Sequence, residues 1–473
     1  MQIWDLEQLF ALHPELDVLC REIGKKRTQH FLLNGLYASA RALTLSALQK
    51  KLAGNGYQCP ILVVLDNADD AQYMYADLRT LGTAYYFPTA HRRRQGAVDE
   101  AMAIQRTEVL TALTNPTQEA PIVVTYPEAL AESVPQVESL QRQTISLQTG
   151  ETHAISTLTQ ELAELGFLKV DFVYEPGQFA VRGGIVDVYS FAHDDPYRID
   201  YFGDEVDSIR EFDIETQLSK DKVQSIDIVA SAAQEEQQGW LTDYLNEQTL
   251  WVSNDWSVAA YKWQSLAPSY RVQNTGDLQT LLEQRTTIEI AQKSTFDTCN
   301  TLSFDTLPQP AFNKNFDLLI EDLKSHINEG YTLYILADQM KQTDRLKAIF
   351  DDKESGIRFV PIDHTLHEGF VDRGAKICCY TDHQIFERYH RVTLRSENAR
   401  RGKAVLTLKE INQLQVGDYV VHVDHGIGRF AGLVTTNFNG RPQETIKLIY
   451  RDGDTLFVSI HNLHRIAKYK GRE

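Results

Sequence analysis

The stretch His30-Phe-Leu-Leu-Asn-Gly-Leu-Tyr-Ala-Ser-Ala-Arg-Ala42 decides the fold of the first part of the chain. Its opening residues predict a strand, and the Ala- and Leu-rich sequence from about Ala38 to Lys51 predicts a helix. A continuous apolar run, Ile61-Leu-Val-Val-Leu65, predicts a strand buried on both faces. Because strand and helix patterns alternate to about residue 140, we expect a parallel sheet covered by helices.

The turn between the first strand and helix lies where a phosphate-binding loop would lie. A working loop reads G-x-x-x-x-G-K-[ST], so that glycines admit the phosphates, lysine pairs with them and a hydroxyl holds Mg²⁺. Here Gly35 is followed by Ala40, Arg41 and Ala42 at the last three motif positions. The turn is either an ordinary strand–helix connection or a decayed, non-functional nucleotide site, and neither reading predicts ATP binding.

Three further regions show distinct patterns. Short strands separated by turn residues between Gly177 and Phe212 predict an antiparallel meander in a small inserted α+β domain. Residues 316–350 return to a helix–strand–helix pattern and predict a second small α/β domain. Short, strongly turned strands after residue 411 predict a small β-barrel. Residues 231–310 are polar and weakly patterned and give no clear assignment.

Composition narrows the class of protein. A chain of 473 residues is long enough for roughly three to five domains. The net charge is −18, yet residues 401–473 carry 11 Lys and Arg against 7 Asp and Glu, which suggests different partners for different domains. The 5 cysteines include no C-x-x-C pair, and no apolar run is long enough for a membrane span. We therefore expect a cytoplasmic chain with no membrane association.

No constellation of residues predicts catalysis. His422, His425, His461 and His464 form two H-x-x-H pairs without nearby cysteines, and surface histidines are favoured over a metal site. Asp66-Asn-Ala-Asp69 is interpreted as a helix cap or turn. The chain is therefore predicted not to be an enzyme, and no metal ligands or catalytic residues are assigned.

The meander offers a candidate binding surface. In Tyr197-Arg-Ile-Asp-Tyr-Phe202, strand alternation places Arg198 and Phe202 on one face, and Arg182 on a preceding strand can join them. An arginine beside an aromatic side chain is typical of a protein-binding hot spot. An ordinary solvated sheet face explains the same pattern equally well.

Two longer blocks resemble a specific family. Residues 177–189 and 196–213 are similar to the UvrA-binding domain that UvrB shares with the transcription-repair-coupling factors, the Mfd proteins. Residues 417–432 are similar to the opening of that family's CarD-like domain, which interacts with RNA polymerase. His367-Glu-Gly-Phe-Val371 and Arg41 match the family too, and the blocks occur in the family's order.

The resemblance implies the N-terminal part of such a factor, with a multidomain α/β fold built on a degenerate P-loop-type sheet and ending in a small Tudor- or CarD-like barrel. Its expected divisions are a UvrB-like first part at 1–142, an inserted UvrA-binding domain at 143–230, the remainder of the UvrB-like module at 231–310, a small α/β domain at 311–395, a connector helix at 396–410 and a polymerase-interacting domain at 411–473. Family members continue into an ATP-driven DNA translocase and an autoinhibitory C-terminal domain, which are absent from this sequence and would be the chain's intramolecular partners. ATP, Mg²⁺ and duplex DNA are therefore expected to bind mainly to that motor, and no cofactor is expected in this chain.

The family also implies partners and contact residues. Arg182, Arg198 and Phe202 match its UvrA-contacting positions. The β subunit of RNA polymerase is the expected partner of the C-terminal domain. We expect that subunit to bind by strand addition if the contacting segment lies at a sheet edge. That segment comprises Ala431, Gly432, Leu433, Val434, Thr435 and Thr436.

The implied function is an adaptor that recruits UvrA to RNA polymerase stalled at DNA lesions, in transcription-coupled nucleotide excision repair. The alternatives are a UvrB-type damage-recognition component of the excision nuclease and a stand-alone CarD-type transcription regulator. UvrB keeps an intact phosphate loop and a long aromatic hairpin, whereas only a short stretch separates Phe87 from Ala101 here.

Overall fold

The structure is a computed structural model that describes residues 2–25, 27–82, 84–90, 100–114, 120–214, 216–231, 239–266, 278–388, 414–422, 425–438, 441–451, 453–459 and 466–468. The chain divides into two compact units. The first unit comprises Met1–Arg92, Glu108–Val137 and Glu235–Leu394, and the second comprises Arg93–Thr107, Glu138–Gln234 and Arg395–Glu473.

Some of the helices begin at a residue whose side chain caps the helix N-terminus. Asn67 accepts a hydrogen bond from the backbone N–H of Asp70, and Asn315 and Asp255 cap their helices in the same way. The described helices are α1 (Ile3–Ala11), α2 (Pro14–Ile23), α3 (Ala40–Gly54), α4 (Ala68–Leu81), α5 (Glu100–Thr114), α6 (Pro127–Leu130), α7 (Val137–Arg142), α8 (Ile155–Glu164), α9 (Trp256–Ser265), α10 (Leu278–Glu283), α11 (Phe316–Asn328), α12 (Met340–Asp352) and α13 (Asp382–Ile385), with a 3₁₀ turn at Leu241–Tyr244. None of them combines the length and apolar character that crossing a membrane would need.

A seven-stranded sheet forms the centre of the first unit. Its spatial order is β17 (Asn300–Ser303), β1 (His30–Asn34), β16 (Thr287–Glu289), β15 (Leu250–Ser253), β2 (Ile61–Val64), β4 (Ile122–Thr125) and β3 (Ala84–Tyr86). Its neighbouring strands pair in parallel, which confirms the predicted parallel α/β architecture. β15, β16 and β17 come from the weakly patterned residues, so that region completes this sheet.

A second α/β layer of the first unit contains a five-stranded sheet in the order β18 (Thr306–Pro308), β21 (Phe370–Asp372), β22 (Ile377–Thr381), β19 (Thr332–Leu336) and β20 (Val360–Ile362). Leu319 and Leu323 of α11 pack with Ile335 and Leu346 in its core. A short antiparallel pair, β5 (Ser133–Val134) and β14 (Gly239–Trp240), also lies in this unit. The helix–strand–helix pattern therefore predicted the local structure correctly.

A buried ion pair ties α2 to the second sheet. His13 Nε2 lies 2.8 Å from Asp372 Oδ2, and both side chains are buried. The hydrogen bond to Asp372 raises the pKa of His13 above its ordinary value, against the opposing effect of burial. The protonated form of His13 therefore stabilises the fold.

The meander predicted between Gly177 and Phe212 is confirmed within a six-stranded sheet of the second unit. Its order is β12 (Ser219–Val223), β11 (Glu205–Phe212), β10 (Tyr197–Phe202), β9 (Ile185–Val188), β8 (Gln178–Arg182) and β7 (Leu168–Lys169). Leu158 and Leu162 of α8 cover one face, where they pack with Val186 and Ile199. β6 (Thr144–Gln148) and β13 (Ser225–Val229) form a neighbouring antiparallel pair.

The C-terminal strands form a five-stranded antiparallel sheet. Its order is β26 (Thr455–Ser459), β25 (Arg441–Ile449), β24 (Gly426–Phe438), β23 (Tyr419–His422) and β27 (Ile466–Lys468). Val420, Phe430, Ile446 and Leu448 form its core. The predicted connector helix at 396–410 lies outside the described residues.

Candidate functional site

Strand alternation along β10 separates a core face from a polar face. Tyr197, Ile199 and Tyr201 pack against the core of the inserted domain, so Arg198 and Phe202 lie on the opposite face. Phe202 stands at the end of the strand, where Gly203 opens the hairpin at φ 66°, and it is 82% exposed. An exposed phenyl ring at a hairpin tip offers apolar area to a partner.

Asp187 on β9 holds both predicted arginines. This carboxylate is fully buried and accepts hydrogen bonds from Arg198 Nε at 2.8 Å and Arg198 Nη2 at 3.0 Å. Arg182 forms an ion pair with the same carboxylate. Hydrogen bonding to Asp187 raises the pKa of Arg198, opposed by burial. The structure therefore brings Arg182 and Arg198 together through a residue that the sequence did not single out.

Arg198 is more enclosed than the sequence indicated. Its side chain is 15% exposed, its guanidinium lies 4.5 Å from the Phe212 ring centroid, and Nη1 donates to the carbonyl of Gln217. Arg182 is more open, at 36%, and lies over Phe172. A buried carboxylate and two flanking segments therefore hold Arg198 in place, and little of its side chain faces solvent.

Arg198, Arg210 and Lys222 lie side by side on adjacent strands and form a row of cations next to Asp187. The pairing register sets Asp187 opposite Arg198, Arg198 opposite Arg210 and Arg210 opposite Lys222. Side chains directly opposite in a sheet share one face. Asp200 forms an ion pair with Arg210, while Lys222 is exposed. Arg210 and Lys222 were not predicted, because their alignment depends on a register that the sequence does not show.

The turn predicted as a degenerate phosphate loop is closed by backbone contacts. Gly35 has φ 74°, and a Cβ atom there would lie 2.1 Å from the carbonyl oxygen of Phe304. Ala40 and Ala42 are fully buried, and Arg41 Nε donates to the carbonyl of Leu36 at 3.2 Å. Burial lowers the pKa of Arg41. Arg41 thus folds back onto the loop, where a lysine would reach outward.

Residues 367–368 lie against Ser39, the residue that precedes α3. The backbone N–H of His367 donates to Asp77 Oδ1 at 2.6 Å, and that of Glu368 donates to Ser39 Oγ at 2.9 Å. Ser39 Oγ in turn donates to Asp77 Oδ2 at 2.5 Å, and the His367 ring stacks on Tyr73 with centroids 3.6 Å apart. Burial raises the pKa of Asp77 to about 7. Residues 367–368 are therefore hydrogen-bonded both to the residue that precedes α3 and to α4.

The C-terminal candidate segment, Ala431–Thr436, lies in β24. Val434 pairs with Thr445 of β25, whose Oγ1 donates to the Val434 carbonyl at 2.9 Å. Gly432, at φ 107°, lies in a bulge between Phe430 and Leu433. On the other side of β24, Phe430 exchanges hydrogen bonds with residues 417 and 418. For Leu433–Phe438, the pairing given by the described residues is with β25 alone.

Metal ligation finds no support in the part of the chain that the structure describes. No three His, Cys, Asp or Glu side chains there form a group that could hold an ion. His422 is buried, contrary to its predicted surface position, and its ring centroid lies 4.9 Å from that of His425. His461 and His464 lie outside the described residues.

Comparison with known proteins shows that two segments of the chain match known domain families. Residues 145–233 match the UvrB interaction domain, and residues 414–470 match the CarD-like/TRCF RID domain. The chain is 23% identical over 546 residues to the transcription-repair-coupling factor of Bacillus subtilis (strain 168), and 23% identical over 541 residues to that of Staphylococcus aureus (strain USA300). Both alignments cover 93% of this chain and 45% of the relative, so the chain spans less than half the length of these relatives.

These matches confirm the resemblance predicted from the sequence. The chain is similar to the N-terminal part of transcription-repair-coupling factors, and its UvrB interaction and CarD-like matches occur in the expected order.

Proposed function

We propose that the chain is the adaptor part of a transcription-repair-coupling factor. Its inserted domain recruits UvrA, and its C-terminal domain binds the β subunit of RNA polymerase stalled at a DNA lesion. The exposed Phe202 beside the cation row carries this proposal, because an 82% exposed phenyl ring has no packing role in the free protein. The two domain matches support the choice of partners.

The positive charges of the cation row and of the neighbouring Arg182 favour an acidic partner surface. Four cations, Arg182, Arg198, Arg210 and Lys222, share this face with three carboxylates, Asp187, Asp200 and Glu205, the last of which lies opposite Phe202. The exposed Lys222 remains available to steer a partner, while the more buried arginines are held rigidly by their carboxylates. The surface therefore combines a fixed shape, an apolar tip and an excess of positive charge.

The closed phosphate loop supports an adaptor over a UvrB-type enzyme. ATP would have to displace residues 367–368 from Ser39 and Asp77 and to approach Gly35 past the Phe304 carbonyl. We infer that the seven-stranded sheet descends from a nucleotide-binding sheet and that the C-terminal sheet curls into a CarD-like barrel. We also propose that the domains divide where the sequence predicts, and that ATP, Mg²⁺ and duplex DNA bind mainly to a motor outside this chain.

The adaptor role is tested by changing Phe202→Ala and measuring UvrA binding. We expect affinity to fall about thirtyfold, or about 2 kcal/mol, because truncating a hot-spot side chain removes apolar contact area. The melting temperature should stay unchanged, since the ring touches little of its own domain. Tyr261→Ala is the matched control, because Tyr261 is a comparably exposed aromatic residue on α9, at 74%. Equal UvrA affinity for the Phe202→Ala and wild-type chains would contradict the proposal.

A further inference from the structure

A cavity of about 410 Å³ opens in the first unit, away from the phosphate loop. Its walls come from the segments just before four neighbouring strands, β1, β16, β15 and β2, so it lies at the amino-terminal edge of the parallel sheet. Nucleotides in open α/β sheets bind at the opposite, carboxyl edge. This cavity is therefore a separate site from the degenerate loop.

Two arginines give the cavity its charge. Arg285 and Arg27 line it together with one carboxylate, Glu247. Arg285 Nε is buried, and among the described residues it has no hydrogen-bond partner. A buried donor without an acceptor destabilises the fold. A rotation of the Arg285 side chain toward an anion in the cavity would supply that acceptor. Arg27 is 64% exposed and lies 3.6 Å from Glu22, so it can turn toward an occupant.

The rest of the lining suits an organic group. Ile23, Leu250 and Cys59 provide apolar surface, and the hydroxyls of Thr28 and Thr286 provide polar contacts. Burial raises the pKa of Cys59 to about 11, so its thiol stays protonated and acts as part of the wall. A volume of this size lies within the range that small-molecule sites occupy.

We propose that this cavity binds a small organic anion, through a phosphate or carboxylate held by Arg285 and Arg27 and an apolar or planar group placed against Leu250 and Cys59. Guanidinium groups pair with both kinds of anion in a bidentate manner. This site goes beyond the adaptor role, because it lies in the UvrB-like sheet and uses none of the residues assigned to UvrA or polymerase.

The test uses calorimetric titration of the whole chain with adenosine monophosphate, citrate and inorganic phosphate at matched ionic strength. We expect saturable binding of at least one organic probe, tighter than that of inorganic phosphate. Tighter binding of adenosine monophosphate assigns a phosphate ligand, and tighter binding of citrate assigns a carboxylate. Arg285→Leu should weaken that binding about tenfold or more, and Arg285→Lys should weaken it less, since lysine keeps the charge and loses the fork.

Two further variants guard against a folding artefact. Arg27→Leu changes an exposed side chain and should also weaken binding, whereas Arg373→Leu, which removes a comparably exposed arginine from a surface ion pair with Asp305, should not. UvrA binding should be the same in all of these variants, so failure of this proposal is distinct from failure of the adaptor role. Absence of saturable binding, affinity unchanged in both Arg285→Leu and Arg27→Leu, or inorganic phosphate binding as tightly as the organic probes would overturn it.

Discussion

At the scale of single residues, the Arg198–Asp187 pair carries structural as well as binding consequences. Arg198→Glu places a second carboxylate beside the fully buried Asp187 and removes its bidentate partner. We expect a loss of about 3 kcal/mol in the free energy of unfolding, because breaking a buried ion pair leaves an uncompensated charge. Chemical denaturation measures this loss. Phe202→Ala, within about 0.5 kcal/mol of wild type, is the control.

A stable Arg198→Glu chain would show that Arg182 alone satisfies Asp187. In the expected case, a loss of UvrA binding in Arg198→Glu reflects both a changed surface and a weakened domain. Phe202→Ala and a charge change at the exposed Lys222 are therefore the cleaner probes of the interface.

His13 makes stability depend on pH. Its folded-state pKa is raised by Asp372, so the stabilisation is fully present below the ordinary histidine pKa of about 6.5 and is lost as pH rises through the folded value. The groups facing it are Asp372 and, at 3.9 Å, Glu15. The gap in unfolding free energy between wild type and His13→Gln should therefore be wider at pH 6 than at pH 8.5.

Denaturant titrations at the two pH values measure that gap. His364→Gln is the matched control, because His364 pairs with Asp363 on the surface and both are about half exposed. A gap that does not narrow with rising pH would show that folding does not raise the pKa of His13.

At the scale of the element, β24 is the strand of the C-terminal sheet that carries the predicted polymerase-binding segment. Val434→Pro removes a backbone N–H and restricts φ in a strand that is expected to add to a polymerase strand. We expect polymerase binding to be lost in pull-down while UvrA binding is retained. Val434→Thr keeps both the N–H and the β-branched shape and should bind normally, and circular dichroism checks the fold of both variants. Polymerase binding that survives Val434→Pro would exclude strand addition as the mode.

Local sequence predicted the elements whose signals are local. The strand at His30–Asn34 and the helix Ala40–Gly54 follow from apolar runs and helix formers. β15 and β16 were missed, because they are short, lie among polar residues and pair with strands far away in sequence, such as β15 with β2. β15 and β16 are buried because they pair with apolar strands, and the order of strands along the sequence does not reveal that pairing.

The residues of the candidate site also separate into those that local sequence predicted and those that it did not. Alternation along β10 was enough to place Phe202 opposite the core. Asp187 carried one available signal, a carboxylate inside the apolar strand Ile185–Val188, which needs a buried cation. Arg210 and Lys222 carried none, because cross-strand register depends on the hairpin turn and on a bulge in β11 that shifts the pairing.

At the scale of the whole molecule, the chain should neither hydrolyse ATP nor bind duplex DNA tightly at physiological salt. The net charge of −18 opposes binding to the phosphate backbone, and the basic excess is confined to the C-terminal residues. The turn predicted as a degenerate phosphate loop is closed by residues 367–368 and also departs from the working motif in sequence. Phosphate release with and without DNA, and fluorescence anisotropy of a labelled duplex, measure the two activities. DNA-stimulated hydrolysis by the pure chain would contradict this expectation.

The closed loop gives a sharper form of the same prediction. Restoring the motif with Ala40→Gly, Arg41→Lys and Ala42→Thr should not restore ATP binding, because Ser39 remains bonded to Glu368 and Asp77 remains bonded to His367. A loop that had decayed only by substitution would recover affinity in this variant. Titration with a fluorescent ATP analogue separates the two cases, with a thermal melt to confirm folding, since Ala42 is buried and threonine is larger. Saturable micromolar binding by the restored variant would mean that residues 367–368 yield to nucleotide, and that the side chains alone account for the lost site.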